Sequence, residues 1–129
     1  QDIRNLGIFE KMKFILDLAK RKGIETDMQT LRSWMCHISH YHVDKDYKVE
    51  LTEEERSFYD LLLKEDLSPS SVYKWVLLTS SPTDIKIKLR EGLISQKKAL
   101  NLRARREIWK EVQLGSEIIK DVRAIVRWL

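Results

Sequence analysis

Apolar residues recur at helical spacing along almost the whole chain, and the alternation typical of β-strands is nearly absent. Leu, Lys, Glu, Ile and Arg dominate the sequence, and these residues are well tolerated inside helices. The first predicted helix shows this repeat, with apolar residues at Phe9, Met12, Phe14, Ile15, Leu18 and Ala19. The pattern predicts an all-α fold, a compact multi-helix domain, and 129 residues suffice for one such domain.

Capping residues divide this pattern into about eight helices with short connections. Thr52 followed by three glutamates predicts a helix start, with a capping hydroxyl and acids in the first turn. Ser68–Pro69 predicts another start, because serine is a favoured N-cap and proline is tolerated at the first helical position. Further starts are predicted at Asp27 (or Thr26), Ser81–Pro82, Ser95 and Ser116, and ends or breaks at Gly23, Gly92 and Gly115.

Polar composition from about Ser39 to Leu51 predicts a loop. We therefore expect residues 1–50 to form a helical segment and loop, residues 51–114 the main helical unit, and residues 115–129 a separate last helix. That last helix is amphipathic, which suits a core helix, a dimer face or the start of a longer connector. Since the first residue is Gln, we expect the chain to be a domain cut from a longer protein.

The charge is distributed unevenly along the chain. Residues 41–66 carry nine acids and four bases, a net charge of −5, whereas residues 81–129 carry twelve bases and six acids, a net charge of +6. A basic C-terminal half favours a polyanionic partner, although the same charges could simply solvate a helical surface. No apolar run approaches the roughly 20 residues of a membrane span. One cysteine allows no internal disulfide and suits the cytoplasm.

The segment 58–77 fits a helix-turn-helix. Leu61 and Leu62 would pack on the second helix, Leu67 would fill the turn, and Val72 and Trp75 would anchor the second helix. The remaining polar groups of the second helix could then reach phosphates and base edges in a major groove. A plain helical hairpin would satisfy about half of these criteria.

The run LSPSSVYKWVLLTSSPTDIKIKLREGLISQKKALNL, residues 67–102, resembles the DNA-binding domain of the ParB/KorB partition proteins. The likeness covers about 50 of the 129 residues when the preceding Leu51-Thr52 helix is included. Its features are a Ser-capped helix ending in a Leu-Leu pair, a Pro-led helix ending in Arg-Glu-Gly, and an Ile-Ser helix start followed by Ala-Leu. These stand at Ser68 to Leu78, Pro82 to Gly92, Ile94-Ser95 and Ala99-Leu100.

The chain also departs from that family. A short helix that usually precedes the recognition helix is missing or fused here. The family's Ala-Arg-Ala stretch reads Lys98-Ala99-Leu100-Asn101. The Gly-Glu-Arg-Arg nucleotide motif is absent from this sequence, so CTP binding is not carried over and no cofactor is expected.

The resemblance implies binding of a specific double-stranded DNA site, in plasmid or chromosome partition, by a protein associated with the nucleoid or a plasmid. It also implies a partition ATPase as partner, through regions outside this sequence, and self-association as a homodimer. By position, the recognition helix would contribute Ser68, Ser70, Ser71, Tyr73 and Lys74. The supporting phosphate contacts would come from Lys86, Lys88, Arg90, Lys97, Lys98, Arg103, Arg105 and Arg106. The alternatives are a transcription regulator of the same fold, and a helical protein-interaction module that docks through the acidic stretch before Asp66.

Other chemistry is poorly supported. Cys36, His37, His40 and His42 include zinc-ligand types, but their spacing matches no common zinc finger, so no metal site is expected. The acids between Asp44 and Glu55 follow one another along the chain, whereas catalytic carboxylates usually converge from separate elements. No Gly-rich phosphate loop or nucleophile elbow occurs, and we do not expect an enzyme.

Overall fold

A computed structural model describes residues 6–44, 46 and 49–128, and within this range it does not describe the side chains of residues 111 and 114–128. The described part contains six α-helices and no strand, which confirms the predicted all-α fold class. The helices are α1 (Ile8–Arg21), α2 (Met28–Val43), α3 (Glu53–Lys64), α4 (Pro69–Thr79), α5 (Thr83–Arg90) and α6 (Gln96–Trp128). No helix in these ranges is both long and apolar enough to cross a bilayer.

The predicted capping residues Asp27, Thr52, Ser68 and Ser95 cap four of the helices. The predicted Ser81 cap is wrong, because α5 begins at Thr83 with Pro82 at its N-cap and no side-chain cap. The Thr52 hydroxyl accepts a hydrogen bond from the Glu55 backbone N–H, and the Glu55 side chain accepts one from the Thr52 N–H, which completes a capping box. Ser68 caps α4, and Pro69 occupies its first turn. Between α3 and α4, Asp66 adopts a φ of 55°, a left-handed conformation that aspartate tolerates better than most residues.

Two boundaries predicted from the sequence are wrong. Helix α2 runs to Val43, through the start of the predicted loop, because Ile38 continues the buried face formed by Leu31 and Met35. The backbone of α6 is helical through Gly115, so the predicted separate last helix is part of one 33-residue helix. A glycine costs a helix only about 1 kcal/mol, which the helix-favouring residues around it can outweigh.

Contacts divide the chain into two units, Gln1–Ser80 and Ser81–Leu129. This division falls inside the segment 51–114 that the sequence suggested as one unit. In the first unit, α4 packs on α2 and on α1, and α3 packs on α2. The predicted helix-turn-helix of α3 and α4 remains a hypothesis. The core of this unit consists of Met12, Ile15, Ala19, Leu31, Met35, Ile38, Leu51, Phe58, Leu61, Leu62, Val72 and Val76.

In the second unit, α5 packs on α6. Among its described side chains, the buried apolar residues are Ile85 and Ala99. This is a small apolar core compared with that of the first unit, so polar contacts between α5 and α6 have a larger share in holding the pair together.

Candidate nucleic-acid interface

Helix α4 exposes a narrow polar stripe. Val72 and Val76 are fully buried on its inner face, while Ser70 and Lys74 are exposed. These two exposed residues are four positions apart, so they lie next to each other on the helix surface. A hydroxyl and an ammonium group therefore form the accessible polar surface of this helix.

The other predicted contact residues of α4 are less available. Ser68 is exposed, but its hydroxyl accepts a hydrogen bond from the Ser71 N–H at 3.5 Å as the helix cap. Ser71 is half-buried. Tyr73 is half-buried and packs against the core of the first unit. The structure thus leaves Ser70 and Lys74 as the predicted α4 side chains best placed for contacts with a ligand.

The predicted basic residues of α5 have a local role in the helix. Lys88 and Arg90 are exposed in its last turn, and Lys86 is half-buried. Positive charge near the C-terminal end of a helix stabilises it, because the helix dipole is negative there. The presence of Lys88 and Arg90 is therefore explained in part without any bound anion.

The start of α6 shows the opposite arrangement. The Ser95 hydroxyl caps this helix by accepting a hydrogen bond from the Lys98 N–H at 3.1 Å. Lys97 and Lys98 are exposed in the first turn, which contains no acidic residue. The first N–H groups of a helix carry partial positive charge, so two further positive charges are unfavourable there unless an anion binds.

A groove of about 320 Å³ lies along this part of α6. It brings together three of the predicted contact residues, Lys97, Lys98 and Arg105. Asn101 and Leu102 also line it, and the sequence interpretation missed both. Asn101 follows Lys97 by four residues, so helical spacing from that lysine was the signal that could have found it.

Two of the predicted arginines are engaged in contacts within the second unit. The side chain of Arg103 is only 9% exposed and forms an ion pair with Glu107 at 3.2 Å. Arg106 donates two hydrogen bonds to the carboxylate of Asp84, which links α6 to α5. This hydrogen bonding lowers the pKa of Asp84 to about 2 and raises the pKa of Arg106. We therefore exclude Arg103 and Arg106 from the exposed basic surface.

The histidines of α2 bond to separate partners. His37 Nδ1 lies 2.8 Å from the Glu55 carboxylate, and His40 Nδ1 lies 2.6 Å from the Cys36 carbonyl oxygen. His42 Nδ1 lies 2.7 Å from the hydroxyl of Tyr59, whose pKa is raised by burial. Within the described ranges, no three potential donor side chains cluster as metal ligands would.

No protein-family model, curated protein or solved structure matches this chain. The likeness to the ParB/KorB proteins stays a prediction from residues 67–102. The function has to be inferred from the side chains that the fold exposes.

Proposed function

We propose that this chain binds double-stranded DNA, with the exposed start of α6 as its main phosphate-contacting surface. The observation that carries the proposal is the pair of exposed lysines, Lys97 and Lys98, in the first turn of α6. Residues 96–106 contain five bases and no acid. Arg103 pairs with Glu107 and Arg106 with Asp84, so the positive charge left for a ligand is that of Lys97, Lys98 and Arg105. A phosphate backbone supplies the missing negative charge.

The groove beside these lysines has the chemistry that a phosphodiester requires. Lys97, Lys98 and Arg105 provide positive charge, and the Asn101 amide provides a neutral hydrogen-bond donor. Leu102 adds apolar surface that can pack against a deoxyribose. These contacts would hold a duplex without reading its sequence.

In this proposal, the exposed polar stripe of α4 recognises the base sequence of the DNA. The Ser70 hydroxyl and the Lys74 ammonium are exposed, and both groups can donate to base acceptors in a major groove. The order of features in residues 67–102 supports a role in plasmid or chromosome partition. A partition ATPase, bound through regions outside this sequence, and association with the nucleoid or a plasmid belong to the same proposal.

A salt titration tests the phosphate contacts. The full chain is mixed with a fluorescein-labelled duplex of about 30 base pairs, and the dissociation constant is measured by anisotropy between about 50 and 300 mM NaCl. We expect Lys97→Ala to reduce the slope of log affinity against log salt by about 1. The matched control is Lys64→Ala, since Lys64 is an exposed lysine in the last turn of α3. Absence of duplex binding at low salt, or equal slopes for the two variants, would refute the proposal.

Selection from a random duplex library tests the assignment of α4. The wild-type chain should enrich one sequence class. With Lys74→Ala we expect about 10- to 100-fold weaker discrimination between that class and random duplex. Affinity for random duplex should change little, because Lys74 would contact bases rather than phosphates. Enrichment of the same class by Lys74→Ala with unchanged discrimination would remove α4 from the interface.

The transcription-regulator alternative shares this DNA binding, and it would differ in whether the sites that co-purify from cells lie at promoters.

A groove in the first unit favours the protein-interaction alternative. It has a volume of about 600 Å³ and combines apolar Ile24 and Trp34 with the carboxylates of Glu53 and Glu54. Such a surface fits a basic segment of another protein better than it fits DNA. If the chain binds no duplex at low salt, this groove becomes the leading candidate site.

A further inference from the structure

One aromatic side chain of α6 lies exposed on the same helix face as the basic groove. Trp109 is 61% exposed, which is unusual because a tryptophan side chain has a large area to bury. Arg105 precedes it by four residues, so the two side chains are neighbours on the helix surface. Steps of three and four residues connect four exposed residues, which we call the α6 stripe: Lys98, Asn101, Arg105 and Trp109.

The α6 stripe combines cations with an aromatic ring. At about 1.5 Å per residue, it is roughly 17 Å long from its first residue to its last. Positive groups beside an exposed ring are the combination that binds single-stranded nucleic acid, in which phosphates meet the cations and a base stacks on the ring. A duplex makes no use of such a ring, because neighbouring base pairs cover both faces of its bases. The ring of Trp109 is therefore not explained by duplex binding.

The residues around Trp109 restrict the chemistry of its ligand. Ile108 and Val112 are also exposed, at 60% and 54%, and an apolar face alone would fit a protein. The preceding turns of the same face, however, present Arg105 and Lys98, and residues 96–106 contain no acid. A ligand that covers the whole stripe must carry repeated negative charge together with a flat apolar group. A nucleotide strand carries both in every repeat.

We propose that the α6 stripe binds an unpaired strand of nucleic acid, with one base stacked on the indole of Trp109 and the neighbouring phosphates on Arg105 and Lys98. This inference uses the basic surface of the proposed function, but it does not require that the chain binds a duplex. Because the two ligands share Lys98 and Arg105, an unpaired strand and a duplex should compete for the chain.

Anisotropy of the full chain with a fluorescein-labelled oligo-dT of about 15 nucleotides tests the stacking site. We expect Trp109→Ala to weaken binding about tenfold, because the base loses its platform. Trp109→Phe keeps an aromatic ring and should weaken binding by about threefold or less. The matched control is Ile108→Ala, which removes an equally exposed apolar side chain without a ring and should change the affinity by less than about twofold. Circular dichroism shows whether each variant retains its helix content.

Intrinsic fluorescence locates the stacked base. A base that stacks on an indole quenches its fluorescence, so saturating oligo-dT should quench the wild-type chain. The same oligomer should not quench Trp109→Phe, although this variant still binds it. An oligo-rU of the same length distinguishes the source of the strand, since only RNA has the 2′-hydroxyl. Binding of either oligomer with this dependence on Trp109 supports the proposal, and the tighter of the two identifies the kind of strand.

Equal losses for Trp109→Ala and Ile108→Ala, or quenching that persists in Trp109→Phe, overturn the proposal. Absence of binding to both oligomers at about 50 mM NaCl also overturns it. These outcomes are separate from those of the duplex titration. A chain that binds oligo-dT but no duplex refutes only the proposed function. A chain that binds the duplex, and whose affinity for oligo-dT is unchanged by Trp109→Ala, refutes only the stacking site.

Discussion

Helices α3 and α6 both begin with a capping hydroxyl, but the side chains of their first turns carry opposite charge. Helix α3 begins with a Thr52 capping box and three glutamates in its first turn, which is the arrangement that stabilises a helix start. Helix α6 begins with a Ser95 cap and two exposed lysines, and the positive charge of these lysines is unfavourable near a helix start. Helix stability alone therefore explains the charge of α3 and fails to explain the charge of α6. This difference supports the proposal that the lysines of α6 bind an anionic ligand.

The largest expected effect is a loss of folding stability on substituting Glu55, at the start of α3, by alanine. The Glu55 side chain is only 4% exposed, accepts the Thr52 N–H at 3.1 Å and lies 2.8 Å from His37 Nδ1. Its removal would leave these groups without an acceptor and should lower the free energy of unfolding by about 2–3 kcal/mol. Urea denaturation followed by circular dichroism measures this loss. The control is Glu54→Ala, since Glu54 is an exposed neighbour. An equal loss for both variants would show that the buried hydrogen bonds of Glu55 add no measurable stability.

The next largest effect is expected from charge reversal at the α6 start. The double variant Lys97→Glu and Lys98→Glu should weaken duplex binding by at least about tenfold and reduce the salt slope by about 2. The same change should raise the melting temperature slightly, because acids suit a helix start. Anisotropy measures the affinity for the duplex, and thermal denaturation measures the melting temperature. A lower affinity together with a higher melting temperature is expected only if the lysines bind the duplex.

Reversal at α3 provides the matched control for that experiment. Glu53→Lys with Glu54→Lys should lower the melting temperature and leave the salt slope of duplex binding unchanged. If it alters the slope as much as the α6 variant does, duplex binding depends on net charge rather than on the α6 surface.

A smaller effect is expected from Thr52→Ala. The Thr52 hydroxyl accepts the Glu55 N–H at 3.2 Å, and loss of such a cap typically costs about 1 kcal/mol. Thr52→Ser keeps a capping hydroxyl and should retain most of the stability in the same denaturation measurement. A comparable loss for both variants would mean that the methyl group of threonine, rather than its hydroxyl, stabilises this end of α3.

Local chemistry made the helix starts predictable from the sequence. Thr52, Ser68 and Ser95 act on N–H groups within three residues, so their effect depends little on the rest of the fold. The continuation of α2 was missed because it depends on the burial of Ile38, which requires packing against other helices. Composition alone could not show that packing.

The candidate site was predictable only in part, because it too depends on packing that the sequence does not show. Sequence identified Lys97, Lys98 and Arg105, which the fold brings together in one groove. It also grouped Arg103 and Arg106 with them, because a sequence shows the charge of an arginine but not its partner. The burial of Arg103 and the pairing of Arg106 with Asp84 depend on how the side chains of α6 pack and pair once the chain has folded.

The smallest effect is expected from acid, at the contact between Asp84 and Arg106. The pKa of Asp84 is lowered from 3.8 to about 2, mainly by the hydrogen bonds from Arg106. Since the folded state lowers this pKa, the contact stabilises the fold fully above about pH 4, and its contribution is lost as the pH falls through about 2. Asp84→Asn should therefore remove a small part of the acid sensitivity between about pH 4 and 2, measured as the change in melting temperature with pH. The exposed Asp60→Asn, in the first unit, serves as control, and an identical pH profile for wild type and Asp84→Asn would show that the contact does not stabilise α5 on α6 in solution.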